Sequence, residues 1–119
     1  MTEIQNPKRY DLEDRTFRFA KRVIEYVRAL PKTITNIEIS KQLTRSSGSI
    51  GANYIEANEA LGKKDFLMRI KISKKEAKET HYWLRLTEPH ENYLQEKEVL
   101  VQEAVELMKI FGAILLKSQ

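Results

Sequence analysis

Cysteine is absent from this sequence, and glycine (4 residues), proline (3) and tryptophan (1) are scarce. Without cysteine the chain can form neither a disulfide framework nor a thiolate site. Few turn-forming residues and a charged fraction of 32% favour long helices over a sheet. No run of about 18 uncharged apolar residues is present, so no membrane-spanning segment is expected. The first residues are polar and lack the apolar stretch of a signal peptide, so we expect a cytoplasmic protein.

Positive and negative charges are unevenly distributed around a net charge of +4. Residues 1–87 carry 18 Lys and Arg against 11 Asp and Glu, whereas residues 88–119 carry 3 against 6. A basic surface of this kind attracts nucleic acid or another polyanion. The asymmetry also fits a solubilising surface whose two signs meet across helices or subunits. Charge alone leaves both interpretations open.

Two helices are predicted in the first half of the chain, because apolar residues recur there at the spacing of an amphipathic helix. After an N-terminal tail of residues 1–10, Asp11 is placed to cap the first helix, and Pro31 ends it. Thr35 or Asn36 starts the second helix, which runs to about Ala60.

Two further helices are predicted in the second half. Asp65 lies in the first turn of the third helix and Pro89 stops it, while the fourth helix runs from about Gln95 to Leu116. Because the connections are short, consecutive helices are expected to be antiparallel neighbours. The sequence therefore predicts one all-α domain over residues 11–119, an antiparallel up-down-up-down four-helix bundle.

Two features of the helices predict contacts beyond a simple core. Tyr10, Phe17 and Ile24 repeat every seven residues on a second side of the first helix, which would then have two partners. The middle of the second helix, residues 46–52, is rich in small side chains and contains Gly48 and Gly51. Such a segment is either a bend or a close crossing with another helix, and we favour the crossing.

The sequence offers no pattern for catalysis, a metal or a cofactor. Glu79 and Glu88 each precede a histidine, His81 and His90, by two residues, which is the wrong spacing for two ligands on one helix face. The serines at 46, 47 and 49 have no histidine and carboxylate arranged as a triad. Ser47-Gly48-Ser49-Ile50-Gly51 lacks the Lys-Ser/Thr pair of a phosphate-binding loop. We therefore expect a protein that is not an enzyme.

One polar stripe is conspicuous on the second helix. Ser49, Asn53 and Glu56 fall on one side of it, and Arg45 precedes them by one turn. Polar groups on a close-packed face usually hydrogen-bond across an interface, because leaving each one buried and unpaired costs about 1–3 kcal/mol. Structural pairing is the favoured interpretation, and ligand binding or plain exposure are the alternatives.

The same stripe carries a family likeness. It lies in the segment Gln42-Leu43-x-Arg45-Ser46-x-x-Ser49-Ile50-x-Ala52-Asn53-x-x-Glu56, and further matches are Lys64-Asp65-Phe66-Leu67, Glu79 and Tyr82-Trp83-Leu84. Over about residues 12–116 the chain resembles the four helix bundle protein family. This group is named after proteins encoded in intervening sequences of bacterial 23S rRNA genes, and is also called the S23 ribosomal protein family. Gly51, Asn58 and Lys75-Glu76 depart from its usual pattern, as in a subgroup.

The resemblance implies an up-down-up-down bundle of a kind that often assembles as a homopentameric ring, and it does not imply a ribosomal constituent. Similar relatives include the accessory variability proteins of diversity-generating retroelements, which are basic pentamers that bind a reverse transcriptase and nucleic acid. The expected partners are therefore other copies of the chain, RNA or DNA, and a reverse transcriptase or another protein.

Two functions follow as hypotheses. The first is an oligomeric adaptor that binds RNA or DNA phosphates through basic residues of helices one and three. The candidates are Arg15, Arg18, Lys21, Arg22, Lys63, Lys64, Arg69, Lys71, Lys74, Lys75 and Lys78. Aromatic side chains are scarce on that flank, which argues against the stacking of single-stranded bases. The second is a purely structural or protein-binding oligomer, in which the basic helices meet the acidic fourth helix of another subunit or partner.

Overall fold

The computed structural model describes the backbone of residues 7–119 and the side chains of residues 11–119. The chain forms four α-helices, with a short 3-10 turn, Glu91–Tyr93, before the last. The helices are α1, Pro7–Arg28; α2, Ile34–Asn58; α3, Lys63–Leu86; and α4, Leu94–Ser118. The described residues contain no strand. The predicted all-α bundle of four helices is therefore confirmed.

Helix α1 begins at Pro7, so the prediction that Asp11 caps it is wrong. Proline suits the first helical position, because its fixed φ matches the helix and its missing N–H has no intrahelical partner to lose. Asp11 lies inside the helix and is exposed. Of the tail predicted for residues 1–10, residues 1–6 lie outside the described residues.

Helix α2 begins at Ile34, slightly earlier than predicted, because Thr33 is its N-cap. The Thr33 hydroxyl accepts a hydrogen bond from the Asn36 backbone N–H at 3.1 Å, which satisfies one of the donors that a helix start leaves unpaired. Asn36 therefore does not cap the helix. Its buried amide instead donates to the carbonyls of Pro31 and Glu88 and accepts from the Glu88 N–H, each at 3.0 Å. One side chain thus links the α1–α2 loop to the α3–α4 loop.

All four helices contribute to one apolar core. Its largest fully buried side chains include Tyr26 of α1 and Phe111 of α4, and Tyr54 of α2 packs against Phe111 with ring centroids 5.8 Å apart. Smaller polar contacts lie between the helices: the Thr80 hydroxyl donates to Ser46 at 2.9 Å, and the Ser73 hydroxyl donates to the carbonyl of Ile50 at 2.9 Å. These pairs place α2 and α3 antiparallel and close together.

The small-residue segment of α2 crosses α1 closely at one glycine. A Cβ added at Gly51 would lie 2.8 Å from Thr16 Oγ1, whereas one added at Gly48 would meet nothing within 4 Å. The crossing is therefore present at Gly51, while Gly48 faces open space. On the outside of α1, Phe17 is 65% exposed and Ile24 is 37% exposed. The second apolar seam of α1 is thus left uncovered within one chain, and its third member, Tyr10, lies outside the described side chains.

Candidate nucleic-acid interface

Three arginines of α1, Arg15, Arg18 and Arg22, are bound to acidic side chains of the same chain. Arg15 donates from Nε and Nη2 to both carboxylate oxygens of Glu103, at 2.7 and 2.9 Å. Arg22 forms the same two-bond contact with Glu96, at 2.6 and 2.8 Å. These hydrogen bonds are the main reason that the pKa values of both guanidinium groups are raised. Two of the candidate phosphate-binding residues therefore join α1 to α4.

Two further candidates also have partners. Arg18 pairs with Asp14 one turn earlier, at 2.8 Å, although both side chains are exposed. Arg69 of α3 donates to the amide oxygen of Asn53 at 3.0 Å. The side chain of Lys21 is exposed and has no acidic partner among residues 11–119.

The polar stripe of α2 mostly makes contacts inside the chain. Arg45 donates to Glu76 at 3.0 Å and to Glu79 at 3.2 Å, and the carboxylate of Glu76 is largely buried. Asn53 accepts from Arg69 and donates to the carbonyl of Ser49, and the Ser49 hydroxyl donates to the carbonyl of Arg45. Glu56 is exposed on the surface of the described chain. The stripe thus connects α2 to α3.

A row of unpaired cations runs along the outer side of α3. The predicted members are exposed, and none has an acidic partner among residues 11–119; they are Lys63, Lys64, Lys71, Lys74, Lys75 and Lys78. The acidic residues of α3 are elsewhere: Glu76 and Glu79 face Arg45, and Asp65 lies in the first turn. This part of α3 therefore carries positive charge without local compensation.

Sequence reasoning missed one member of the row, Arg85. It is exposed and follows Lys64, Lys71 and Lys78 at intervals of seven residues. At ~1.5 Å per residue, these four cations are spaced about 10.5 Å apart along one side of the helix. We call Lys63, Lys64, Lys71, Lys74, Lys75, Lys78 and Arg85 the α3 cation row. The seven-residue interval was visible in the sequence and could have revealed Arg85.

The structure does not join the basic residues of α1 and α3 into one surface. Each of these helices packs against α2 and α4, so they occupy opposite corners of the bundle. A groove between α1 and α4 is lined by Arg15, Arg18 and Arg22, but also by Glu98 and Glu103. The basic residues of α1 and of α3 therefore lie on separate surfaces. On the α1 surface the three arginines named above are paired with acidic side chains, whereas the α3 cation row has no such pairs among residues 11–119.

The C-terminal half of α3 also carries an imidazole and two aromatic rings. Burial, and secondarily the charge of Arg85, lower the pKa of His81, which favours its neutral form. Tyr82 is 55% exposed, and its ring forms a T-shaped contact with the half-buried Trp83, with centroids 5.0 Å apart. These rings stand beside the α3 cation row.

Within the described residues, no cluster of three or more acidic or histidine side chains could hold a metal ion. None of the described helices combines the length and apolar character needed to cross a bilayer.

Comparison with known proteins identifies relatives over almost the whole chain. The family described as "23S rRNA-intervening sequence protein" matches residues 8–113. A crystal structure of a protein of unknown function from the S23 ribosomal protein family of Bacteroides thetaiotaomicron VPI-5482 is similar, with a TM-score of 0.75 and 29% sequence identity. The match covers 91% of this chain and 97% of that one. No curated protein sequence matches the chain.

Proposed function

The chain belongs to the 23S rRNA-intervening sequence protein family, and from this premise we propose that it is a non-enzymatic, self-associating cytoplasmic adaptor. The adaptor binds the phosphate backbone of RNA or DNA through the α3 cation row. The proposal narrows the candidate interface predicted from the sequence. It retains the lysines of α3 and leaves the arginines of α1 to hold the bundle together.

One observation carries the proposal: the cations of the α3 cation row have no acidic partner among residues 11–119, whereas Arg15, Arg18 and Arg22 of α1 each have one. A polyanion that bound Arg15 would first have to displace two hydrogen bonds from Glu103. A polyanion that bound Lys71 or Lys78 would displace only water and counterions, because neither lysine has an acidic partner among residues 11–119. The release of counterions from nucleic acid is what drives binding of this kind.

Self-association is supported by the uncovered apolar seam of α1. Phe17 and Ile24 are exposed on that helix, and Ile55 of α2 is 47% exposed. The helix register places all three on the flank where α1 and α2 meet. A second copy of the chain would remove this apolar surface from water. On the family resemblance, the proposal takes five as the number of copies and a reverse transcriptase as a candidate protein partner.

The rival function is a purely structural or protein-binding oligomer with no role for nucleic acid. The exposed apolar residues favour it as much as they favour an adaptor. In the oligomer predicted from the sequence, however, the basic helices meet the acidic α4 of another copy. Glu96 and Glu103 are already bound by Arg22 and Arg15 of their own chain, which weakens that form.

The two functions are separated by a binding assay with charge-matched variants. Fluorescence anisotropy at about 50 mM salt would measure binding of labelled 20-nucleotide RNA and DNA. We expect Lys71→Gln/Lys78→Gln to weaken binding at least about tenfold, because both lost charges contact phosphate. Arg15→Gln/Arg22→Gln also removes two positive charges and should change affinity less than about twofold. If wild type does not bind at this salt, or if the α1 pair matters more, the proposal fails.

Self-association has its own test. Light scattering after size-exclusion chromatography should show a mass of about five times the subunit mass of 14.0 kDa. Phe17→Glu/Ile24→Glu should reduce it to a single subunit without loss of helix content. A monomeric wild type would contradict this part of the proposal.

A further inference from the structure

We infer that Tyr82 is a stacking platform for an unpaired base, and hence that the α3 cation row is built for single-stranded rather than double-stranded nucleic acid. This inference rests on the proposed function and names the substrate class of the same surface. It departs from the expectation, drawn from the sequence, that scarce aromatic residues on this flank argue against base stacking.

The first observation is the position of Tyr82 within the row. Tyr82 follows Lys78 by four residues and precedes Arg85 by three, so all three side chains lie on neighbouring positions of one helix face. Lys75 precedes Tyr82 by seven residues on the same face. A strand whose phosphates contact these cations passes over Tyr82, within reach of its ring.

The second observation is that the ring is available. Tyr82 is 55% exposed, although an aromatic ring gains from burial and this one lies next to the partly buried Trp83. The two rings meet at an interplanar angle of 79°. In such a contact one ring presents its edge to the other, so at least one face of Tyr82 is not covered by Trp83. The contact also restrains the ring, which lowers the entropy that is lost when a base stacks on it.

The third observation is that the nearest acidic residue of α3 is already bound by a cation of its own chain. The acidic residue of α3 closest in sequence to Tyr82 is Glu79, and its carboxylate accepts a hydrogen bond from Arg45 on the α2 side. His81 adds no negative charge. This surface of α3 therefore has the two elements of single-strand recognition. Tyr82 offers an aromatic face for a base, and the α3 cation row offers positive charge to the nucleic-acid backbone.

Duplex nucleic acid can use only one of these elements. Its phosphates can contact the lysines, but its bases are paired and stacked inside the double helix and offer no face to Tyr82. Single strands should consequently lose affinity when the ring is removed, and duplexes should not. This difference distinguishes stacking from a purely electrostatic contact.

The test compares Tyr82→Ala and Tyr82→Phe on single-stranded and duplex 20-mers, and on a strand of equal length with abasic positions. Tyr82→Ala should weaken single-strand binding about tenfold, which is about 1.4 kcal/mol, and change duplex binding less than about twofold. Tyr82→Phe should match wild type on every probe. The abasic strand should bind wild type and Tyr82→Ala equally.

Fluorescence gives an independent readout, because Trp83 is the single tryptophan of the chain. Single strands should change its emission in wild type through the stacked neighbour ring, and this change should be lost in Tyr82→Ala. Three results for Tyr82→Ala would overturn the inference. They are an equal loss of affinity for single strands and duplexes, no loss of affinity for either, and a changed oligomer mass.

The same experiment separates the inference from the proposed function. If Lys71→Gln/Lys78→Gln weakens binding of all probes while Tyr82→Ala weakens none, only the stacking inference fails. If no probe binds wild type at low salt, the proposed function fails and takes the inference with it. Circular dichroism melting of each variant checks that the fold is retained. We expect this for the Tyr82 variants because the Tyr82 side chain is exposed.

Discussion

Gly51 of α2 lies so close to Thr16 of α1 that an added Cβ would be 2.8 Å from the Thr16 hydroxyl oxygen and 3.2 Å from its Cβ. Thr16 cannot easily move away. It is 1% exposed, and its hydroxyl donates to the backbone carbonyls of Leu12 and Glu13. The contact fixes the distance between α1 and α2 at the middle of the bundle.

Substitution of the two glycines of α2 should therefore have opposite effects. We expect Gly51→Ala to lower the free energy of unfolding by about 1–2 kcal/mol, because overpacking outweighs the gain in helix propensity. Gly48→Ala meets nothing within 4 Å and should raise the same quantity by about 0.5–1 kcal/mol. Urea unfolding of both variants measures the difference. Stabilisation by Gly51→Ala would show that the crossing is looser than described.

Asn36 should be among the most costly polar residues to remove. Asn36→Ala deletes three hydrogen bonds to the backbone of Pro31 and Glu88 in a site where the side chain is 2% exposed. We expect a loss of about 2–3 kcal/mol in unfolding free energy, because partly buried backbone groups of Pro31 and Glu88 lose a partner. Asn92→Ala, at an exposed position of the 3-10 turn, is the control and should be nearly neutral. A similar stability for the two variants would contradict the role given to Asn36.

His81 should make the fold sensitive to mild acid. Its pKa in the folded chain is lowered by burial and by Arg85 from the ordinary value of 6.5, so the unfolded chain takes up a proton first as the pH falls. The contribution to stability is complete above pH 6.5 and is lost as the pH falls below that value towards the folded-state pKa. Melting temperatures at about pH 7.5 and pH 5.5 should differ less in His81→Gln than in wild type. If His81→Gln retains the wild-type difference, His81 is not responsible.

Much of the fold could be predicted because its causes are local. The apolar spacing of Leu43, Ile50, Tyr54 and Ala57 identifies the buried face of α2 without knowledge of its partners. Prolines and glycines mark the connections. The start of α1 was harder to predict, because Pro7 lies before the first strong apolar position and is equally typical of an N-terminal tail.

The partners of charged and polar side chains could not be predicted, because they depend on how helices distant in sequence pack together. Arg15 and Lys71 are equally plausible phosphate ligands in the sequence. Only the packing of α1 against α4 brings Glu103 to Arg15, 88 positions away. The sequence predicts Thr35 or Asn36 as a helix start and cannot reveal the bonds of Asn36 to Glu88, which is 52 positions away. Arg85 and Tyr82 were within reach of sequence reasoning, because their spacing from the lysines of α3 is regular.

The slope of binding affinity against salt tests the central claim most directly. If the α3 cation row neutralises phosphates, the logarithm of the affinity for a single strand falls linearly with the logarithm of the salt concentration, by roughly 0.7 for each phosphate contact. Replacing Lys64, Lys71, Lys78 and Arg85 by Gln should make the slope shallower by about 3, whereas Arg15→Gln/Arg22→Gln should leave it unchanged. An affinity independent of salt, or a slope that the four substitutions do not alter, would contradict the account.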